Sequence, residues 1–173
     1  FATRALSGTD GATFAASHHD AWGLPQGAGD LAETWEWTGT TWSPRSPALS
    51  PPATSGRPMV YDGARNRSMF PMGPTTWLYN GANWSIRNQA SPSARYNPGM
   101  VLMEATQEIM LFGGSEWTNH LSDTWTWNGS VWTQRTPITS PPARYSHGMA
   151  YDSSRNQVVI YGGYPPGLLS DTW

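Results

Sequence analysis

One short stretch of this chain is best supplied with chemistry: Ser115-Glu-Trp-Thr-Asn-His120. An indole offers a broad apolar face and a single N–H, so Trp117 can stack on a sugar ring or anchor a partner protein. Glu116, Asn119 and His120 place a carboxylate, an amide and an imidazole beside it. Tyr164, in Tyr164-Pro-Pro-Gly-Leu168, adds an aromatic ring on a comparable segment. Trp117, His120, Glu116, Asn119 and Tyr164 are therefore the candidate ligand-binding residues. The competing reading of Trp117 is packing, with the ring folded back on its own sheet.

Other chemistries are poorly provided for. The absence of cysteine excludes disulfide staples, thiolate metal sites and cysteine nucleophiles. His18-His19-Asp20 is a local histidine cluster, but adjacent residues on a strand point to opposite faces and cannot share one metal. No metal site and no cofactor are expected. Asp62, Asp123, Asp152 and Asp171 occupy recurring positions and read as structural. Asp62 and Asp152 open tight turns, where an Asp side chain caps backbone amides. No isolated carboxylate pair suggests a glycosidase. No catalytic residue is assigned, and the chain is not expected to be an enzyme.

The formal charge is −2, only 13% of residues are charged, and all ten basic residues are arginine. Most of those arginines recur at matching positions, so they read as structural. Nucleic acid, which calls for a dense basic surface, is not an expected partner. No apolar run approaches the ~20 residues of a membrane span. Phe1-Ala-Thr-Arg4 lacks the apolar core of a signal peptide.

β structure must position the candidate residues. The 173 residues suit one domain and include 11 Trp, 18 Gly and 15 Pro. Short aromatic and β-branched runs, broken by Gly, Pro and Asn and without helical periodicity, predict an all-β protein. The runs repeat. Trp35, Trp77, Trp125 and Trp173 are spaced by 42, 48 and 48 residues. Trp42, Trp84 and Trp132 follow the first three, and Arg45, Arg87 and Arg135 follow those. The segment 51–73 aligns without a gap on 141–163. Four strands are predicted per repeat, seen in the best copies at 149–151, 157–161, 124–127 and 131–134. An Asp-x-x-Arg-Asn turn joins the first two. An Asn-Gly turn joins the last two, as the positive φ of a tight turn requires. Ten of the eleven Trp fall in predicted strands and read as packing between neighbouring sheets; Trp117 is the one in a variable loop.

Four antiparallel strands in about 48 residues, repeated in tandem, mark β-propeller blades. Gly113-Gly114 with Trp125 and Trp132, and Gly162-Gly163 with Trp173, resemble the kelch-repeat β-propeller family, with galactose-oxidase-like kelch blades. The second repeat departs from that pattern at Met72-Gly73 and has a shorter loop. The resemblance covers residues 47–173 well. Arg4, Gly23 and Glu33-Thr34-Trp35 mark a worn first copy. It implies about three and a half blades, at approximately 1–46, 47–90, 91–138 and 139–173, the last incomplete. They would form a partial arc of a six- or seven-bladed propeller, either a fragment of a longer chain or one whose open ends a partner covers. The cofactor of galactose oxidase links a Cys to a Tyr around copper and cannot form in a stretch without Cys. Ser7 to Phe14 resembles a single degenerate Asp box of sialidase-type propellers, itself a structural turn.

By analogy with that fold, the loops between second and third strands share a face with the connections between repeats. Those loops are 24–30, Pro74-Thr75, 115–120 and 164–168, and they differ between repeats as recognition loops do. The expected function is a non-catalytic binding or scaffold module recognising a protein or glycan. The alternatives are a peripheral subunit of a larger assembly, held by open blade edges, and the propeller part of a secreted enzyme whose catalytic residues lie elsewhere. High Trp, Thr, Ser and Gly with neither Lys nor Cys resembles secreted bacterial kelch-type proteins, which implies an extracellular or periplasmic location.

Overall fold

The structure, a computed structural model, describes residues 12–15, 31–164 and 167–173. His18-His19-Asp20, Trp22, the loop 24–30 and the start of the Asp-box-like stretch lie outside the described residues. All described elements are strands. Among the described residues no helix is long and apolar enough to cross a membrane.

The strands form successive antiparallel sheets. The first contains β1 (Ala12–Ala15), β2 (Thr34–Trp37) and β3 (Trp42–Arg45) in chain order. The second contains β4 (Val60–Asp62), β5 (Arg67–Met72), β6 (Thr75–Tyr79) and β7 (Trp84–Asn88), again in order. Next come β8 (Gly99–Met103) and β9 (Glu108–Phe112), then a separate hairpin of β10 (Ser115–Glu116) and β11 (Asn119–His120). β12 (Thr124–Trp127) and β13 (Trp132–Arg135) rejoin β8 and β9 in a second four-stranded sheet. Last are β14 (Gly148–Asp152) and β15 (Gln157–Tyr161). Trp173 flanks β15, exchanging hydrogen bonds with Ile160 at 2.9 and 3.0 Å.

The predicted strands thus form and pair as four-stranded meanders, complete in two repeats. Two local expectations need correction. The segment 115–120 is not a loop but a two-residue hairpin. Gly113 and Gly114, at φ 64° and 103°, carry the chain away from β9, and Ser115 then pairs with His120. The Asn-Gly turns also work differently from the expectation. They are four-residue loops in which only the glycine takes a positive φ, 91° at Gly81 and 96° at Gly129. The asparagine acts as a cap: Asn128 Oδ1 accepts from the Ser130 and Val131 amides at 2.9 and 3.0 Å, and Asn80 repeats the arrangement.

Alternation along the strands buries both faces of the second sheet, because a neighbour lies on each side. Met69 and Leu78 join Met100, Ile109, Leu111, Trp127 and Trp132 of the next sheet. Phe70, Trp77, Tyr79 and Trp84 form a cluster on the opposite face. Each such side chain contributes about 1.5–3 kcal/mol when fully buried. Indole hydrogen bonds tie the stack: Trp84 Nε1 donates to Thr34 Oγ1, and Trp132 Nε1 to Thr76 Oγ1, both at 2.9 Å. Trp77, Trp84, Trp127 and Trp132 are buried, as strand tryptophans should be. Trp42 and Trp173 are nearly half exposed.

Candidate functional site

At one edge of the sheets, the segment entering each of the last two repeats meets the segment that follows its second strand. Tyr96 bridges to Ser115, and Tyr145 to Tyr164. These two kinds of segment, expected on a common face, are brought into contact by the backbone in these two repeats. Main-chain bonds also cross from repeat to repeat here. The Asn97 amide donates to Gly56 O at 2.8 Å, and the Ser146 amide to Asn97 O at 2.9 Å. Gly56, Asn97 and Ser146 hold equivalent positions, and all are left-handed, at φ 60°, 47° and 55°.

A buried arginine supports this edge in two repeats. Arg95 donates to Gly113 O at 3.0 Å and to Asp123 Oδ2 at 2.9 Å. Arg144 donates to Gly162 O at 3.0 Å and to Asp171 Oδ2 at 2.8 Å. Each carboxylate also accepts from an indole, Trp125 at 2.6 Å and Trp173 at 2.7 Å. Burial raises the Asp123 pKa, but hydrogen bonds from Arg95 and Trp125 outweigh it and hold the carboxyl below its usual range. The Arg144 hydrogen bond, with that of Trp173, depresses Asp171 as well. These contacts give the recurring aspartates their structural role. In the second repeat Thr54 and Thr75 occupy the corresponding places, so both charges are missing together. A cleft lined by Pro52, Thr54, Met59, Phe70 and Trp84 lies there.

Aromatic rings crowd the same edge in two groups. In one, the Arg57 guanidinium lies 4.8 Å from the Tyr96 ring centre, and Tyr96 meets Trp117 edge-on at 5.2 Å. In the other, His120 lies over Tyr145 at 4.9 Å, and Tyr145 stacks on Tyr164 at 5.8 Å. Trp117 is 76% exposed and Tyr164 44%.

The five candidate residues therefore divide. Glu116, Trp117 and Asn119 occupy the hairpin tip. Glu116 and Asn119 are direct cross-strand partners and project to one side. His120 points to the other side, where Nδ1 lies 3.1 Å from the buried Ser115 hydroxyl. Tyr164 joins His120 through Tyr145. Tyr96, Tyr145 and Arg57 were not among the residues expected from the sequence. Tyr96 and Tyr145 follow Arg95 and Arg144 at one repeat position, and that placement was the available signal.

The hairpin tip is strained. Trp117, first of the two turn residues, has a φ of 59°. A two-residue turn with positive φ at its first position is normally given to glycine. A bulky side chain there costs about 1–2 kcal/mol. Next to the Tyr145 stack, His147 is packed edge-on against Phe112 at 5.7 Å, with both ring nitrogens buried and unpaired. Burial lowers its pKa to about 4, and the nearby Arg144 charge adds to the effect. Among the described residues, no three His, Asp or Glu side chains gather as a metal site would need. No protein-family model matches the chain, and no curated protein matches it.

Proposed function

We propose that the chain is a non-catalytic binding module, built as an arc of kelch-like propeller blades, that takes its partner on the edge carrying the β10–β11 hairpin. One observation carries this reading: a strained tryptophan is held three-quarters exposed at the hairpin tip. Stability gains little from such a residue, since the ring touches the protein mainly through an edge contact with Tyr96. Backbone strain without compensating burial points to a task outside the fold. The aromatic groups on either side extend the surface over three repeats. The partner is a protein or a glycan, met outside the cytoplasm.

Printed arrays of glycans and of peptides, probed with the wild-type chain and with Trp117→Ala, test the reading. Signals present for the wild type and lost in the variant are the expected result. Signals that survive the substitution overturn it. Trp117→Gly serves as a folding control, because glycine relieves the positive φ; its melting temperature should stay within a few degrees of wild type.

A second reading, as a subunit held in a larger assembly, has an observation of its own. Ala150, Val159 and Tyr161 share one face of the β14–β15 pair, and Tyr161 is 59% exposed. Phe112, the residue equivalent to Tyr161, is buried under the following repeat.

A further inference from the structure

We infer that the β10–β11 hairpin is a subsite for a neutral pyranose, stacked on Trp117 and held by Glu116 and Asn119. The inference rests on the binding reading above and names its ligand class. Three features of the hairpin combine. Tyr96 meets Trp117 nearly perpendicular, at 68°, and the indole is largely exposed, so a broad apolar face is open to a ligand. Glu116 and Asn119 oppose each other across the two strands, so their side chains emerge on one side a few ångströms apart. Neither makes a side-chain hydrogen bond or ion pair with a described residue, so both are available to a ligand.

The chemistry of this trio matches a sugar better than a peptide. A pyranose has an apolar C–H face and a rim of hydroxyls. The indole takes the face. The carboxylate accepts from two neighbouring hydroxyls through charge-assisted bonds, and the amide both donates and accepts. A protein anchor would require a desolvated pocket with an apolar surround. Here the chain neighbours Glu116, Thr118 and Asn119 are polar and near solvent, and one edge contact with Tyr96 leaves the indole three-quarters exposed, so no desolvated apolar pocket surrounds it. The carboxylate also sets selectivity, since a uronic or sialic acid would bring a like charge against Glu116. The geometry is fixed in advance. The hairpin is held by the Tyr96–Ser115 bridge, by the Leu121 amide on Gly114 O at 2.9 Å, and by the Ser115–His120 contact. Preorganisation of this kind spares a ligand the cost of ordering the site.

The test is an array of neutral and acidic oligosaccharides, followed by titration of the chain with methyl glucopyranoside and methyl galactopyranoside. The expected result is binding to neutral glycans, weakened by Trp117→Ala, which removes the apolar platform, and at least about tenfold by Glu116→Gln, since a hydrogen bond to a charged group is of that strength. Asn119→Ala should weaken it too, and Thr118→Ala should not. Thermal melts of every variant should stay close to wild type, because Trp117, Thr118 and Asn119 are exposed and Glu116 is only half-buried and makes no side-chain bond with a described residue. Equal binding of acidic and neutral glycans, or full affinity in Glu116→Gln, overturns the pyranose subsite. Peptide binding that depends on Trp117, with no glycan signal, also overturns the subsite and leaves the binding module standing. Ligands that bind with no dependence on Trp117 overturn both.

Discussion

At the scale of single residues, His147 shows how burial is converted into sensitivity to pH. An imidazole titrates near 6.5 when free, and burial holds this one at about 4 in the folded chain. Above pH 6.5 the ring is neutral in both states, and its titration does not affect stability. As the pH falls from 6.5 toward 4, the unfolded chain takes up a proton that the folded chain refuses, and stability is lost. Arg144 is the charge that acts on the ring, and its partner Asp171, held below the usual carboxyl range, stays ionised over that window. Allowing for partial solvent screening, the loss should be roughly 1–3 kcal/mol. Urea melts between pH 7 and 4.5 should show it, and His147→Gln should flatten the dependence. An equal slope in the variant would assign the effect to other groups.

At the scale of elements, the arginine brackets are the informative feature. Arg95 is buried, and its charge is met by Asp123. Asp123→Asn should cost about 3–5 kcal/mol, because it strands a buried guanidinium. The second repeat lacks both partners, with Thr54 and Thr75 in their places, and still forms a four-stranded sheet. Arg95→Thr combined with Asp123→Thr should therefore cost less than the two single changes added together. A double-mutant cycle read by urea denaturation should give a coupling of about 2 kcal/mol. Additive effects would mean that the bracket does not act as a unit. The strands themselves were legible in the sequence, because aromatic and β-branched runs alternate between Gly, Pro and Asn. Both 124–127 and 157–161 form as predicted. The bracket was harder to see, since its halves lie far apart along the chain; their joint loss in the second repeat was the clue. The hairpin at 115–120 was not legible, since Trp at a positive φ runs against turn preferences. For the same reason Trp117, Glu116 and Asn119 could be named as candidates but not placed on one tip.

At the scale of the whole molecule, neighbouring sheets are fastened through face-to-face cores and indole–threonine bonds, so each sheet is stabilised by what covers it. The face of Ala150, Val159 and Tyr161 is open in the structure. Light scattering over a concentration series tests the assembly reading: the chain should self-associate, and Tyr161→Arg should shift it toward monomer. A wild-type monomer with a cooperative melt would count against that reading. The main-chain bonds from Ser146 to Asn97 and from Asn97 to Gly56 bear on a different property. They join the repeats through peptide groups alone, and three unlike residues already serve in the one left-handed position. These main-chain links between repeats are thus indifferent to the side chain carried at that left-handed position. Foreign hairpins grafted between Gly114 and Leu121 should leave the scaffold intact, which makes this edge a platform for engineering new specificities.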